Sequence, residues 1–596
     1  MKAFRVAVLT AVLLATGWPA RGDERSTGAG GINSSALGLT GTGIAIGMVD
    51  QLRPGLPGFD NAEHSHDQVR PKGVFVRDAA ATANSDAGKR ATQIAGILVG
   101  SASSLHGVAP GADLYASAYR TLGTDPGYQH ALLATQHVGQ QAAGSVRAIG
   151  HSWGKGLRTG ATLDGQSLLT LGVDWLATQQ DVLQVFAGNE GNGGSPLPTD
   201  NYNGLDVSFS APVDGKYTRL HESNYFFEDA DGPRRTIDLV APGANITTPK
   251  LGGGTLIETS AGFAPPHVVG AVALLQQHAE ARIAAGAARW NADARRHEVM
   301  KAVLLNSADK VADAGDGLLL GMAKTIVDTH GKNWLDSDAL SDPAVPLDDE
   351  LGAGQLNVDR AKRQFESGQW NSGETAPRLG WDWGQLTDAG AINKYPLADA
   401  IGRGNYVSIT LAWDRQVKLD DTDQDGAYDV GESFSELGLT NLDLLLMPRG
   451  ATSLSQAVAS SLSTVDNLEH IFFPVPTTGS YEIWVRQVDA PLGGQSYALA
   501  WWTGAGQATV GGLQGDANQD GLVNLNDFGP LKINFGNTGA QLADGDFDLN
   551  GRVDLSDFGI LKQSFGQRGA VAVPEPATLV LLVMGLVNLA ALMRRV

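Results

Sequence analysis

Three stretches of the sequence space side-chain oxygens at intervals that suit a hard cation. Asp421-Thr422-Asp423-Gln424-Asp425-Gly426, followed by Asp429 and Glu432, fits the pattern D-x-D-x-D-G-x5-E in full. Alternating acids in such a loop turn their oxygens onto one ion, and Gly426 permits the sharp turn between them. Asp516-x-Asn518-x-Asp520-Gly521, with Asn524 and Asp527, forms a second loop, and Asp546-x-Asp548-x-Asn550-Gly551, with Asp554 and Asp557, repeats it. Each copy of this pair runs into the same helical pattern, Asp527-Phe528-Gly529-Pro530-Leu531-Lys532 and Asp557-Phe558-Gly559-Ile560-Leu561-Lys562. A plain solvated acidic loop accounts for the charge of the first stretch, but not for the in-register duplication of the other two. The expected cofactor is Ca2+, and a segment as small as the repeat would draw folding free energy from the ions because it can bury little core.

Composition narrows the other chemistries. The 596 residues carry 43 Lys and Arg against 64 Asp and Glu, a net charge of −21, which argues against phosphate-backbone binding, since that needs clustered Lys and Arg. Part of that charge sits in the acidic loops. There is no cysteine, so disulfides, zinc–thiolate sites and thiol nucleophiles are excluded. The chain is too long for one core, and several domains are expected.

A second group of chemistry-bearing positions lies earlier in the chain. Gly43 to Asp50 (GIAIGMVD) is an apolar run ending in an acid, as a buried parallel strand reads, and it places Asp50 at the strand's C-terminal end, where open α/β sheets carry function. Glu258 to Leu275 (ETSAGFAPPHVVGAVALL) ends as a buried helix entered through proline, whose missing N–H costs nothing in a first turn. These segments resemble the aspartate and serine segments of the subtilisin-like proteases, V-A-V-I-D and G-T-S-M-A-A-P-H-V-A-G. Asp86 to Leu98 resembles the family's H-G-T-H-V-A-G-I helix at Thr92, Ala95 and Gly96. Further segments follow in family order: His106 to Tyr115, Ala148 to Gly154, Val182 to Gly191, Thr236 to Gly243, His297 to Ala308 and Gly352 to Ala361.

The resemblance implies a site and shows where it is altered. Asp50 takes the triad aspartate position and Asn189, in Gly188-Asn189-Glu190-Gly191, the oxyanion position. Ser152-Trp153-Gly154 takes the place of the N-x-S-W-G segment that lines the substrate cleft through its backbone. Arg90 stands where the general-base histidine belongs, Gln93 replaces a second histidine, and Gly262 stands at the nucleophile position. Arginine cannot accept a proton near neutral pH. An ion pair between Arg90 and Asp50 is expected instead. The alternative is an active endopeptidase using Ser260 as a shifted nucleophile with Asp50, its base drawn from His64, His66, His106 or His151. The sedolisins, relatives with a serine–glutamate–aspartate triad, place a Glu on the first helix, and Arg90 and Gln93 do not supply one.

The rest of the chain positions and delivers this unit. Strands alternating with helices predict an α/β subtilase domain, a doubly wound, mostly parallel sheet, over 33–366. Alternating segments at Tyr406–Leu411, Leu442–Leu446 and Tyr481–Val485 predict an all-β sandwich over 367–508. The repeat over 509–568 forms a small calcium-binding α domain and resembles a type I dockerin, which implies a cohesin-type partner or a calcium-stiffened spacer. Residues 1–22 read as a signal peptide, with Lys2 and Arg5 before an apolar run and Ala20-Arg21-Gly22 after it. In 569–596, Val573-Pro574-Glu575-Pro576 precedes an apolar run and Arg594-Arg595, resembling a PEP-CTERM sorting signal. That implies an exosortase-type enzyme, a membrane segment and an address in the cell envelope or at its surface. The functional expectation is a secreted, surface-sorted subtilase homologue, catalytically inactive, that acts as a peptide-binding or structural module.

Overall fold

The computed structural model describes residues 32, 37–124, 127–155, 163–188, 197–220, 234, 236–504, 514–518, 522–548 and 551–567. The signal-peptide and sorting-segment readings, Asn189, Asp520 and Asn550 lie outside these residues.

A ten-stranded, mostly parallel sheet organises the first half. Its strands are β1 (Ala45–Asp50), β2 (Gly73–Val76), β3 (Ala79–Ala80), β4 (Asp113–Ala118), β5 (Val146–His151), β6 (Leu183–Ala187), β7 (Leu205–Val213), β8 (Lys216–Leu220), β9 (Leu239–Pro242) and β12 (Ile326–Val327). Between β9 and β12 lies a separate hairpin, β10 (Ile246–Pro249) with β11 (Thr255–Glu258). The sheet order is β12-β8-β7-β6-β5-β1-β4-β2-β3, with β9 pairing on β7. β1 is central and buried at every position, so its run of apolar residues needs no alternation.

The helices that close the sheet are α1 (Lys89–Val99), α2 (Gln129–Gly139), α3 (Leu168–Gln180), α4 (Pro265–Ala284), α5 (His297–Asn306) and α6 (Val358–Phe365). α4 is the helix expected from the Pro266 segment, with Pro at its first two positions and every residue from Pro265 to Gln276 buried. Gly270 allows α4 to lie close to the preceding loop, since a Cβ there would stand 2.5 Å from Val108 Cβ.

The second unit is two four-stranded antiparallel sheets. One runs β13 (Leu379–Leu386), β22 (Gln495–Thr503), β15 (Tyr406–Ala412), β20 (Leu468–Pro474), and the other β14 (Ile392–Pro396), β21 (Tyr481–Gln487), β18 (Leu442–Pro448), β19 (Ala459–Ser461). Val407, Ile409, Leu444, Ile483, Leu499 and Trp501 from both sheets share one core. A hairpin of β16 (Gln416–Asp420) and β17 (Ser433–Gly438) stands apart from both sheets and carries the 421–432 loop at its tip. Past Gly512, two helices, α7 (Leu525–Asn534) and α8 (Leu555–Ser564), follow the repeated acidic loops.

Tertiary packing joins the first two units closely. Trp381, Ala412, Leu468, Ala498 and Ala500 of the β unit belong to the same core as α4, α5 and the parallel sheet. Arg415 donates to Asp174 Oδ2 from Nε at 3.0 Å and from Nη2, both side chains fully buried. Asn306, at the end of α5, accepts from Ser408 at 3.0 Å and Thr410 at 3.1 Å. The β16–β17 hairpin also docks on the first unit, where Tyr428 and Gln136 of α2 exchange bonds of 2.7 and 3.2 Å.

Candidate active site

The three positions that the sequence resemblance aligns with a triad, Asp50, Arg90 and Gly262, come from β1, the start of α1 and the turn ahead of α4. β1 lies between β4 and β5, with Asp50 opposite Ala118 and Val49 opposite His151, so Asp50 emerges beside Ser152. Asp50 is 2% exposed, and its Oδ1 accepts the Gln51 N–H at 2.6 Å. Arg90 sits in the first turn of α1 and reaches across to β5, its Nη2 donating to the Ser152 carbonyl at 3.0 Å. The Ser152 hydroxyl in turn donates to the carbonyl of Gly262 at 2.8 Å. Gly262 lies in a single 3-10 turn, Ala261–Phe263, ahead of α4. Its N–H donates to Ser260 Oγ at 3.3 Å, so that serine caps the turn. Arg90, Ser152, Gly262 and Ser260 thus form one hydrogen-bonded chain. The Ser152 carbonyl that Arg90 meets adjoins the end of β1, where the sequence pointed it toward Asp50.

Among the described residues no histidine serves Ser260. Its hydrogen bonds are the cap to Gly262, its own N–H to the Gly243 carbonyl at 3.0 Å, and its carbonyl to Phe263 N at 3.1 Å. His151 is fully buried, stacks on Phe186 at 4.1 Å and bonds Gln184 at 2.9 Å, and burial pushes its pKa down to about 4. His66 Nε2 bonds the Gly254 carbonyl at 3.0 Å while its Nδ1 accepts the Gln68 N–H. His64 pairs with Glu63 at 3.7 Å, and His106 sits in a two-residue strand against Ser101 and Ala102. The position of the second histidine is also reassigned. Gln93 donates to Glu258 at 2.6 Å and to Thr248 at 3.0 Å, and Lys89 pairs with the same Glu258 at 2.6 Å. Those bonds, from Lys89 first and then Gln93, hold the Glu258 carboxyl below its usual range. They tie the start of α1 to the β10–β11 hairpin.

The Ser152 carbonyl is taken by Arg90, and Lys155 pairs with Leu197 through bonds of 2.9 and 2.8 Å, so the chain itself uses two points of this edge. Trp153 turns inward. It is 3% exposed and packs among Tyr119, Tyr128 and Phe186. An extended ligand would therefore meet backbone there rather than the indole.

A serine hydrolase moves the serine proton to a base as the oxygen attacks. At the positions that the sequence resemblance aligns with base and nucleophile stand Arg90, which has no proton-accepting atom, and Gly262, which has no side chain. Base and nucleophile act as a unit, and in subtilisin losing either one costs on the order of 10⁶ in turnover.

Two of the acidic loops bring carboxylate oxygens together. One oxygen each from Asp421, Asp423 and Glu432 lie within 4.8 Å of one another, as do those of Asp423, Asp425 and Asp429, and of Asp546, Asp548 and Asp557. Gly426 has φ +80°, which suits glycine at the turn. Glu432 orients its carboxylate by accepting from Thr422 N at 2.6 Å and Asp429 N at 2.9 Å. Asn524 and Asp554 are helix caps for α7 and α8, and Asp527 and Asp557 complete both capping boxes. Asp527 also accepts from Asn518 N at 3.2 Å, and Asp516 is buried. Asp546 is 1% exposed, and burial, with Asp548 and Asp557 adding repulsion, pushes its carboxyl up to about 7. A cation would remove that repulsion, so these oxygen sets fit Ca2+.

Fold and site together define a subtilase-type domain. Residues 31–323 match the family model described as Peptidase S8, the subtilase family. Among solved structures, the chain is similar to a cold adapted subtilisin-like serine proteinase at 20% identity over 40% of this chain and 78% of that one, with a TM-score of 0.30. It is also similar to the self-cleaved protease domain of PatA, at 20% identity over 56% and 100% with a TM-score of 0.36. The prenylagaramide maturation protease PagA matches at 20% identity over 56% and 95%, TM-score 0.35. No curated protein sequence matches the chain.

Proposed function

We propose that this chain is a secreted, surface-sorted subtilase homologue that does not cleave peptides and serves as a binding or structural module. The observation that carries the reading is Arg90. It stands in the base position, donates to the Ser152 carbonyl and accompanies a glycine at the nucleophile position. Ser260 supports it as well, because its hydroxyl caps a turn and meets no base among the described residues. Any peptide held by the remaining cleft would be read by strand addition along the Ser152–Gly154 backbone. The two antiparallel sheets act in this reading as a β-sandwich that props the subtilase domain. The acidic loops take Ca2+, and the α7–α8 repeat is a dockerin-like module for a cohesin-type partner. The PEP-CTERM-like tail directs the chain to the envelope, where an exosortase-type enzyme processes it.

The test is covalent labelling of the purified ectodomain with a fluorophosphonate probe, beside a casein-cleavage assay and a Ser260→Ala control. The expected result is no label and no cleavage from folded, calcium-loaded protein. Labelling and cleavage that vanish in Ser260→Ala would instead make Ser260 a shifted nucleophile and the chain an endopeptidase.

A further inference from the structure

At the seam between the parallel-sheet unit and the β unit, three carboxylates surround one imidazole. His297, the first residue of α5, is 3% exposed. Its Nδ1 lies 2.9 Å from Asp181 Oδ1, which comes from the turn after α3, and 3.3 Å from Glu298 Oε2, its neighbour on α5. Its Nε2 lies 3.1 Å from Asp414 Oδ1, in the link between β15 and β16 of the other unit. Glu298 is 6% exposed, and its Oε2 is buried and accepts no hydrogen bond. A single Nδ1–H cannot serve two carboxylates fully, and a cation at their centre can.

We propose that Asp181, His297 and Glu298 bind a divalent transition-metal cation of the zinc type, with Asp414 as the outer partner that orients the imidazole. One donor atom from each of the three lies within 4.8 Å of the others. Ligands about 2.0–2.2 Å from a tetrahedral ion stand roughly 3.3 Å apart, close to the 2.9 and 3.3 Å found around Nδ1. One imidazole nitrogen with carboxylate oxygens favours zinc over calcium, whose ligands are all oxygen. The Nε2–H donated to Asp414 supplies the carboxylate–histidine–metal arrangement that fixes the ring and raises its basicity. Arg296 pairs with Asp181 Oδ2 at 3.5 Å and lies over Trp383, while Oδ1 accepts the His297 backbone N–H at 3.0 Å and has a second lone pair for the ion. Because Asp414 belongs to the β unit, the ion would tie that unit to α5 and α3.

The experiment uses the full ectodomain without a polyhistidine tag, stripped with chelator and then saturated with Ca2+ to occupy the oxygen-only loops. Co2+ titration followed by visible absorption, and Zn2+ competition against it, read the site directly. One Co2+ with ligand-field bands is expected, displaced by Zn2+, lost in His297→Gln and in Glu298→Gln, and weakened 10- to 100-fold in Asp414→Asn. The nearly isosteric Glu298→Gln keeps the test valid where His297→Gln does not fold. Absence of Co2+ bands in the parent protein, or bands that persist in Glu298→Gln, would overturn the proposal and leave His297 as an imidazolium shared by its three carboxylates.

Discussion

Lys310 offers a sharp test of how the two large units are joined. It follows α5, is fully buried, and has no hydrogen-bond partner for its Nζ. The ammonium lies 5.2 Å from the Trp334 ring and 5.1 Å from that of Phe472, which belongs to β20 of the β unit. Burial, with Arg360 adding repulsion and Asp309 offsetting part of it, pushes its pKa from 10.5 down to about 7. At about 1.36 kcal/mol per pKa unit, that fall corresponds to roughly 5 kcal/mol against the charged form in the fold. Between pH 7 and 10.5 the unfolded chain holds this proton and the folded chain does not, so stability rises with pH across that window. Below about pH 7 the whole penalty is present. Lys310→Met removes it and gives up two cation–π contacts, each worth about 1–2 kcal/mol when desolvated. The expected net gain is about 1–3 kcal/mol at about pH 6 and little change near pH 10, where the parent lysine is already neutral. Denaturant unfolding at both pH values, followed by tryptophan fluorescence, measures the difference. Loss of stability at the lower pH, or an equal change at both pH values, would refute the burial argument and with it the placement of Phe472 over Lys310.

Two further outcomes follow from the same contacts. Arg415→Ala leaves Asp174 buried and unpaired at the seam between the units, so we expect a loss of about 3–5 kcal/mol, read as a lower melting temperature, whereas Arg415→Lys recovers part of it. Removing Ca2+ with chelator is expected to melt the 514–567 repeat selectively, because Ala517, Val523, Leu531, Phe547, Val553 and Leu561 form a very small core. Circular dichroism of the full chain with and without Ca2+ checks it, and an unchanged melting profile would count against metal-dependent folding of the repeat.

The sequence by itself pointed to the residues on which the proposed loss of activity rests. Arg90 and Gly262 can be placed by their neighbours in the chain, Thr92-x-x-Ala95-Gly96 and Pro266-His267-x-x-Gly270, because the local backbone of a helix or a turn is set by residues a few positions away. The same holds for β1, α4 and the repeated loop–helix pairs, whose apolar periods and Asp–Gly spacings are local signals. Only the tertiary structure decided that the arginine's guanidinium reaches the Ser152 carbonyl, since that acceptor lies 62 residues away and a carbonyl leaves no mark on sequence. It also decided that the 421–432 loop leaves its own unit to dock on Gln136, and that Asp174 meets Arg415 across 241 residues. His297 gave no sign of its three carboxylates, because only Glu298 is its neighbour in the chain. Periodicity reports which face of an element is buried. Which other element arrives on that face is settled by packing, and packing brings together residues that the chain keeps far apart.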